Sequence, residues 1–383
     1  MDKRRILFIL PSFEVGGTTV STRNLISVLD KNRYEITVLS LSGKGLLRDK
    51  YKDVQQLQSD FLARALALNW WKKADGLVEK ILTASVRYLA SHSRKLKETF
   101  IKRSIHHIFK GQHFDTVVAC EESFATLYTS YVKCQNKVAW IRCDYGRYYE
   151  ERGRKNENFY GEYNKIVCVA EKTCENFKKI YPELASKAVC INNPQNEEMI
   201  LNGSKENDHD SSFNRDLFTI VSVGRFSGVK RFEMIPSIAK HLKDLGLAFR
   251  WYIVGDGDLR KIIEDEIARF NVRDNVVLLG FKSNPHYYIA NSDLFVCLSS
   301  SEACPRVINE AKILGTPIIC TDFSTAPEFI ENGKDGVIVP ISEIPDAIER
   351  LMKDDNLYNR YKNEILKFRF DNTQILTKLE EIL

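Results

Sequence analysis

The sequence predicts an α/β protein with two Rossmann-like, doubly wound domains, each built on a parallel sheet. Three observations lead to this prediction. The chain has 383 residues, which is more than one hydrophobic core usually organises. Short apolar runs rich in β-branched residues alternate with helical patterns. A polar stretch rich in Asn, Asp and Ser, residues 195–216, interrupts this alternation and is interpreted as a linker or surface excursion between domains.

Six strands are predicted before this stretch and six after it. They are residues 5–10, 35–40, 115–120, 137–141, 165–169 and 187–191, then 217–223, 249–254, 275–279, 293–297, 316–320 and 335–339. The predicted organisation is an N-terminal domain (1–195), a linker (196–216), a C-terminal domain (217–365) and a C-terminal crossover helix (366–383). Parallel sheets bind ligands at the carboxyl ends of their strands, so the active site is expected in a cleft between the domains.

Composition and charge exclude several classes of protein. With 44% hydrophobic and 28% charged residues, the chain is expected to fold and not to be disordered. A net charge of +5 gives no signature of nucleic-acid binding. The nine cysteines include no C-x-x-C pair and indicate neither a disulfide framework nor a zinc cluster. No apolar run is long enough to span a bilayer or to form a signal peptide, so we expect a cytoplasmic protein.

Residues 60–110 are the least sheet-like part of the chain. They combine apolar and aromatic residues, including Trp70 and Trp71, with a basic run from Arg87 to Lys110. Such a segment suits an anionic membrane surface, and we expect peripheral attachment to the inner face of the cytoplasmic membrane through it. The alternative is that its apolar side chains face the domain core and its lysines are only solvated.

Charged residues follow two predicted strands of the second half. Arg225 and Lys230 lie in the loop after strand 217–223, where a guanidinium and an ammonium could converge on one diphosphate. The alternative is a solvated basic turn. Further along, Glu302 lies in a loop and Glu310 about two turns into the next helix, where a carboxylate can accept hydrogen bonds from both hydroxyls of a ribose. Pro305 marks the start of that helix.

Together these motifs resemble the retaining nucleotide-sugar glycosyltransferases of family 4. The resemblance rests on Glu302 and Glu310 separated by seven residues, on G-R-x(4)-K from Gly224, on V-G-D-G from Val254, on L-G-F from Leu279, and on Gly16-Gly17 after the first strand. It covers nearly the whole chain, most densely residues 217–340. It implies the GT-B fold, in which two Rossmann-like domains face a cleft, and a likeness to bacterial capsule and lipopolysaccharide transferases.

The resemblance implies a role for each matching residue. The residues implied in catalysis are Arg225, Lys230 and Glu302. The donor nucleotide would contact Gly16, Gly17, Gly255, Gly280, Phe281, Lys282, Arg306, Val307 and Glu310, and the donor sugar Glu302, Ala303 and Cys304. Candidate acceptor contacts are Glu121, Arg142 and Asp144. The donor would be a nucleotide sugar, with UDP as the favoured carrier, and the acceptor a glycan or lipid-linked molecule in cell-surface polysaccharide synthesis.

Two departures from the family pattern affect this prediction. Pro305 removes one amide donor from the loop that is usually Glu-Gly-Phe-Gly. Arg142 stands where many relatives carry a histidine. A nucleotide-sugar-binding protein without transferase activity is therefore the alternative function. A dehydrogenase is disfavoured because neither half shows the full G-x-G-x-x-G.

No cofactor and no metal are expected. Asp208-His209-Asp210 matches a D-x-D pattern that binds divalent ions in another transferase fold. This tripeptide lies in the polar linker and not at a strand end, so we interpret it as solvated charge.

Overall fold

The computed structural model describes residues 3–67, 76–152, 158–206 and 210–383. The chain divides into two compact units. The first consists of Met1–Pro194 together with Asn372–Leu383, and the second of Gln195–Asp371. Each unit contains one parallel sheet with helices packed against it. No helix in the described residues is long and apolar enough to cross a membrane.

The first unit is built on a seven-stranded sheet in the order β3-β2-β1-β4-β5-β6-β7. Its strands are β1 (Arg4–Leu10), β2 (Tyr34–Ser40), β3 (Gln55–Leu57), β4 (Thr116–Ala119), β5 (Asn136–Ile141), β6 (Lys165–Cys168) and β7 (Ala188–Cys190). Its helices before the second unit are α1 (Gly17–Val28), α2 (Phe61–Leu66), α3 (Gly76–His92), α4 (Arg94–Phe109), α5 (Phe124–Ser130), α6 (Tyr145–Arg152) and α7 (Glu171–Ile180). All strand pairs are parallel, and residues 6–10 of β1 are fully buried, as expected of a strand covered on both faces.

The second unit has a six-stranded parallel sheet in the order β10-β9-β8-β11-β12-β13. Its strands are β8 (Phe218–Val223), β9 (Phe249–Val254), β10 (Val276–Gly280), β11 (Leu294–Cys297), β12 (Ile318–Thr321) and β13 (Val337–Val339). Its helices are α8 (Glu197–Gly203), α9 (Ile235–Asp244), α10 (Arg260–Arg269), α11 (His286–Ala290), α12 (Arg306–Ile313), α13 (Ala326–Phe329), α14 (Ile344–Lys353) and α15 (Asp355–Ile365). Short 3-10 helices occur in both units.

The last helix, α16 (Thr373–Ile382), returns to the first unit. The Thr116 hydroxyl donates to the carbonyl of Leu383 (2.7 Å), and the Asn136 amide donates to the carbonyl of Ile382 (2.8 Å). The end of the chain is therefore tied to β4 and β5. The predicted crossover helix begins at Thr373, later than the predicted position 366, because α15 and the turn after it still belong to the second unit.

All twelve predicted strands are present, and the structure adds β3, which the sequence did not predict. The β3 strand has only three residues, Gln-Gln-Leu, and lies at the edge of its sheet beside β2. It lacks the apolar run that marks the other strands, so its pairing depends on tertiary structure and not on its own pattern.

The predicted linker at 196–216 is wrong for much of its length. Helix α8 begins after Asn196, whose side chain accepts a hydrogen bond from the amide of Met199, and it buries Ile200. Further on, Phe213 packs against Tyr252 with ring centroids 4.7 Å apart. One capping side chain, one buried isoleucine and one aromatic contact attach this polar segment to the second unit, although its composition resembles a loop. Asp208 and His209 lie outside the described residues.

Backbone hydrogen bonds at glycine residues connect the loops that follow β8 and β9. The amide of Gly224 donates to the carbonyl of Val254 (3.0 Å), and the amide of Gly255 donates to the carbonyl of Gly280 (2.8 Å). Gly255 has a φ of +146°, and a Cβ placed on it would lie 1.9 Å from the carbonyl oxygen of Gly224. A Cβ on Gly257 would lie 2.5 Å from the carbonyl oxygen of Phe226. No side chain fits at either position without a shift of backbone.

We predict that Gly255→Ala lowers the free energy of unfolding by at least about 2 kcal/mol, because it adds both a backbone clash and an unfavourable φ. Urea unfolding measures this loss. The control is Gly228→Ala in the neighbouring loop, where a Cβ meets no atom within 4 Å and the effect should be small. Equal losses in the two variants would show that the packing of these loops does not constrain Gly255.

Candidate functional site

A buried ion pair lies at the carboxyl ends of β8 and β11. Lys230 donates from Nζ to Oε1 of Glu302, and both side chains are largely buried. Burial disfavours the ammonium charge, but the Glu302 carboxylate outweighs this effect and raises the pKa of Lys230. Lys230 is therefore a cation at neutral pH. An ammonium has three N–H donors and Glu302 takes one, which leaves donors for a ligand.

The Glu302 carboxylate is held through one oxygen only. Oε1 accepts from Lys230 and from the hydroxyl of Ser299 (2.7 Å). The backbone is fixed as well, since the hydroxyl of Thr325 donates to the Glu302 carbonyl (2.8 Å). Among the described residues, Oε2 of Glu302 receives no hydrogen bond. The carboxylate is therefore oriented by the protein and keeps one oxygen as an acceptor.

A second carboxylate, eight positions along the chain, is held in the same way. Glu310 is buried in α12, and its Oε1 accepts from Nε of Arg306 at 2.7 Å. Its Oε2 lies 3.8 Å from Nε2 of His286 and forms no hydrogen bond with any described residue. Burial opposes the charge, yet Arg306 and His286 lower the pKa of Glu310 to about 2. Glu310 is a buried carboxylate with an unsatisfied oxygen, and such a group requires an explanation.

Arg225 and Lys230 do not share a partner in the structure. Arg225 pairs with Asp258 (3.1 Å), and its side chain is 65% exposed. Lys230 is instead drawn into the protein by Glu302. Their predicted convergence on one ligand therefore requires Arg225 to leave an exposed ion pair. Such pairs cost little to break, typically 1 kcal/mol or less.

The turn after β10 carries the residues predicted to contact a base. Gly280 has a φ of +72°, and Phe281 is an exposed aromatic. Lys282 donates to Asp210 (2.6 Å) and lies 5.4 Å from the ring centroid of Tyr288. The Lys282 hydrogen bond and burial act in opposite directions on Asp210, and the net effect lowers the pKa of that carboxyl to about 2. Lys282 therefore pairs with Asp210, a residue of the segment that is predicted to be a linker.

The loop between Glu302 and α12 is compact. Ala303 is buried, whereas Cys304 and Val307 are half-buried, and Pro305 precedes the first residue of the helix. The amide of Ile308 donates to the carbonyl of Pro305 at 3.0 Å. Cys304, Arg306 and Val307, which the resemblance implies contact the donor, therefore lie in or just before the first turn of α12.

In the first unit, Gly16 and Gly17 begin α1 after β1 and face open space. A Cβ on either would meet no atom within 4 Å, and Gly16 is extended, so the fold itself does not require glycine here. The sterically required glycine is Gly45, which the sequence analysis missed. It has a φ of +147°, and a Cβ on it would lie 2.0 Å from the backbone of Phe13. Gly45 therefore allows its backbone to pass close to Phe13 in the β1–α1 loop, whereas the space around Gly16 and Gly17 is open.

Glu121 lies two residues after the end of β4, and its pKa is shifted in the direction opposite to that of Glu310. Burial and the neighbouring Glu122 raise the pKa of Glu121 to about 7. The hydroxyl of Ser123, a residue with a φ of +105°, donates to its Oε1 at 3.2 Å. Glu121 can thus gain or lose a proton near neutral pH, which is the property that general acid–base catalysis uses.

Arg142 is held by groups of its own unit. Its Nε donates to the carbonyl of Cys120 (2.7 Å), its Nη1 donates to Oδ1 of Asn193, and its amide donates to Glu122 (2.8 Å). Asp144 accepts a long hydrogen bond of 3.4 Å from the amide of Arg147 at the start of α6. Glu121, Arg142 and Asp144, the three residues predicted to contact the sugar acceptor, thus lie shortly after the ends of β4 and β5.

Several residues with a role in this geometry were not predicted. Ser299 orients Glu302, His286 lies against Glu310, and Asn284 joins α8 to this region by donating to the carbonyl of Gly203 (2.8 Å). A Cβ on Gly203 would lie 2.9 Å from Nδ1 of His286. None of these residues belongs to a motif, so their positions follow only from the packing of α8 and α11 beside α12.

Part of this chain, including Glu302 and Glu310, matches a known protein family. Residues 204–368 match the family described as "Glycosyl transferases group 1". The chain is 25% identical over 196 residues to an uncharacterized glycosyltransferase of Methanocaldococcus jannaschii, covering 42% of this chain and 48% of that protein. It is 30% identical over 150 residues to a Campylobacter jejuni enzyme named N-acetylgalactosamine-N,N'-diacetylbacillosaminyl-diphospho-undecaprenol 4-alpha-N-acetylgalactosaminyltransferase, covering 38% and 40%. The chain thus spans less than half the length of these curated relatives.

The likeness to solved structures extends over the whole chain. The structure of Anabaena HepE in complex with UDP and glucose has a TM-score of 0.74 and 17% identity, and covers 98% of both chains. The structure of WaaG, a glycosyltransferase involved in lipopolysaccharide biosynthesis, has a TM-score of 0.69 and 14% identity, with 98% and 99% coverage. These likenesses confirm the predicted fold class, two Rossmann-like domains of the GT-B type.

The Glu310 carboxylate gives a pH-dependent stability prediction. A carboxyl whose pKa falls from 4.5 to about 2 on folding stabilises the protein above its unfolded pKa, and this contribution is lost as pH falls toward 2. Glu310→Gln should therefore cost up to about 3 kcal/mol near neutral pH and clearly less at about pH 3, measured by urea unfolding. The control is Glu331→Gln, which removes an exposed pair with Lys334 and should cost less than about 1 kcal/mol. A cost for Glu310→Gln that does not change with pH would contradict this assignment.

Proposed function

We propose that this protein is a glycosyltransferase that moves a sugar from a nucleotide diphosphate sugar to a glycan or lipid-linked acceptor in cell-surface polysaccharide synthesis. One observation carries the proposal: two carboxylates, Glu302 and Glu310, are each held by a cation through Oε1 and each keep Oε2 without a hydrogen bond from the described residues. Both lie within the region that matches the glycosyl transferases group 1 family. Oriented acceptor oxygens beside a cation suit a ligand that carries hydroxyls and phosphates.

The cations provide the electrostatic part of this function. When the bond between the sugar and the diphosphate breaks, negative charge develops on the leaving phosphate, and a fixed positive group lowers the energy of that state. Lys230 is charged, largely buried and already oriented by Glu302. Arg225 is exposed and is free to turn from Asp258 toward a diphosphate. The start of α12 adds amide donors and the positive end of its dipole.

The carboxylates provide recognition. Glu310 is buried deeper and would accept the hydroxyls of a ribose through Oε2, while Glu302 would accept a hydroxyl of the sugar being transferred. A carboxylate in a water-poor site discriminates strongly in favour of a ligand that supplies the missing donor, because an unpaired buried acceptor is costly. The exposed ring of Phe281, at the turn after β10, would pack against the base.

The finer assignments of the proposal follow the resemblance and the relatives. Transfer with retention of configuration, membership of family 4 and the lack of a metal requirement are proposed from the resemblance that the sequence motifs carry. UDP is proposed as the carrier because a structural relative was solved with UDP and glucose. A lipid-linked acceptor is proposed because the name of the Campylobacter relative includes diphospho-undecaprenol, and such an acceptor would keep the protein at a membrane surface. Glu121, whose pKa is about 7, would contact the acceptor hydroxyl.

A panel of UDP-, GDP- and ADP-sugars tests the function. The purified protein should consume one donor class and release the nucleoside diphosphate, and it should do so faster with a glycan or lipid-linked acceptor present. Binding of a nucleotide sugar without turnover under any acceptor condition would instead identify a binding protein.

Lys230→Ala should reduce kcat/KM roughly 30- to 1,000-fold, since it removes a preorganised charge from the leaving group. This corresponds to a loss of about 2–4 kcal/mol of transition-state stabilisation. Steady-state release of the nucleoside diphosphate measures the effect. Lys240→Ala is the matched control, because Lys240 is an exposed lysine of the same unit whose one ion-pair partner among the described residues is Asp244 at (i, i+4). Near-normal turnover in Lys230→Ala would refute the assignment of the diphosphate site.

A further inference from the structure

Helix α3 exposes an unusually apolar face. Six of its large hydrophobic side chains are exposed, two of them by 70% or more: Leu77 (74%), Val78 (70%), Ile81, Leu82, Tyr88 and Leu89. At 3.6 residues per turn these six positions fall within an arc of about 140°. Isolated exposed hydrophobics are ordinary on a protein surface, but six of them on one face of a helix mark an interaction surface.

The inward face of the same helix carries small and polar residues. Thr83 and Ala90 are buried, and Nε of Arg87 donates to the carbonyl of Ala65 at the end of α2 (2.8 Å). The usual orientation of an amphipathic helix on a soluble domain is therefore reversed. Because small side chains and a hydrogen-bonded arginine already fill the contact with α2, rotation of α3 would not bury its large side chains without displacing them.

Helix α4 supplies the charge beside this apolar face. It follows α3 after Ser93 and packs against both α2 and α3. Ile101 and Phe109 are buried in the core of the unit, with Ile105 and Ile108 packed against it. The exposed side chains of α4 and of the residue that follows it are mainly basic or histidine: Arg94, Lys95, Lys102, Arg103, His106, His107 and Lys110.

These observations correct the expectation from sequence for residues 60–110. The apolar residues of the basic run that lie on α4 largely face the core, as in the alternative interpretation, and do not form a lipid-binding face. The exposed apolar face belongs instead to α3, most of which precedes the basic run. Leu68, Trp70 and Trp71 lie outside the described residues.

We propose that the exposed face of α3 and the basic face of α4 together form a docking surface for an anionic lipid bilayer. The apolar side chains of α3 would enter the boundary between headgroups and acyl chains, and the α4 cations would pair with anionic headgroups. The adjacent cations favour a bilayer over a second copy of this chain, because two basic α4 faces brought together would repel each other. This proposal concerns attachment and is independent of the proposed transfer reaction.

Vesicle sedimentation of the full chain tests the docking surface. The protein should sediment with vesicles of phosphatidylcholine and phosphatidylglycerol at low salt, and remain in the supernatant with phosphatidylcholine alone. High salt should release it, since screening weakens the contacts of the cations with the headgroups. Equal recovery in the supernatant with both vesicle types would overturn the proposal.

Two sets of variants separate the apolar and the basic contributions. Ile81→Ser/Leu82→Ser and Lys95→Glu/Lys102→Glu/Arg103→Glu should each reduce the partition coefficient at least about tenfold. The matched controls are Ile262→Ser, at an exposed isoleucine of α10, and Lys240→Glu/Lys261→Glu/Lys353→Glu, which makes the same charge change on the second unit. Both controls should bind the vesicles as the wild type does.

Unchanged binding of Ile81→Ser/Leu82→Ser, or equal losses in the controls, would overturn the role of α3. Lipid-free sedimentation equilibrium supplies the remaining test. A dimer in the wild type that becomes a monomer in Ile81→Ser/Leu82→Ser would assign the apolar face to a second copy of the chain and reject the bilayer. Thermal melting confirms that each variant is folded, and release of nucleoside diphosphate without vesicles should be unchanged in all of them.

Discussion

The close approach of three backbone loops at the end of the second sheet is the constraint on which the candidate site depends. Gly224, Gly255 and Gly280 follow β8 and β9 or end β10, and their amides and carbonyls bond from loop to loop. With no side chain at Gly255, the loop after β8 can pass directly over it. This contact sets the path of the loop after β8 and thereby places Lys230 beside Glu302, which lies in the loop after β11. The charges of the site are positioned by backbone that only glycine permits.

The two carboxylates illustrate how a buried site can be both stable and incomplete. Glu302 and Glu310 each satisfy one oxygen with a cation, and this pairing offsets most of the cost of burying their charge. The second oxygen of each has no hydrogen bond from the described part of the chain, and for Glu310 that oxygen is buried, so the missing hydrogen bond is costly. A ligand with hydroxyl groups would remove the deficit. Selectivity for such a ligand then follows from the burial of Glu310, whose carboxyl is kept charged because Arg306 and His286 lower its pKa against the effect of burial.

The sequence predicted the strands well because their formation depends on local patterns. Apolar β-branched runs identify buried parallel strands, and the spacing from Glu302 to Glu310 identifies a loop followed by a helix. It could not predict β3 or α8, whose formation depends on neighbours in space, nor His286 and Ser299, which belong to no motif. The apolar face of α3 was also missed, since helical periodicity reveals that a face exists and not which way it points.

The most direct test is a crystal structure of the protein with UDP bound. We expect diphosphate oxygens within hydrogen-bonding distance of Nζ of Lys230, ribose hydroxyls donating to Oε2 of Glu310, and Arg225 turned away from Asp258 toward the phosphates. Oε2 of Glu302 would face the position where a transferred sugar attaches. A nucleotide bound elsewhere, or one whose ribose makes no contact with Glu310, would contradict the claim that the two incompletely paired carboxylates form a nucleotide-sugar site.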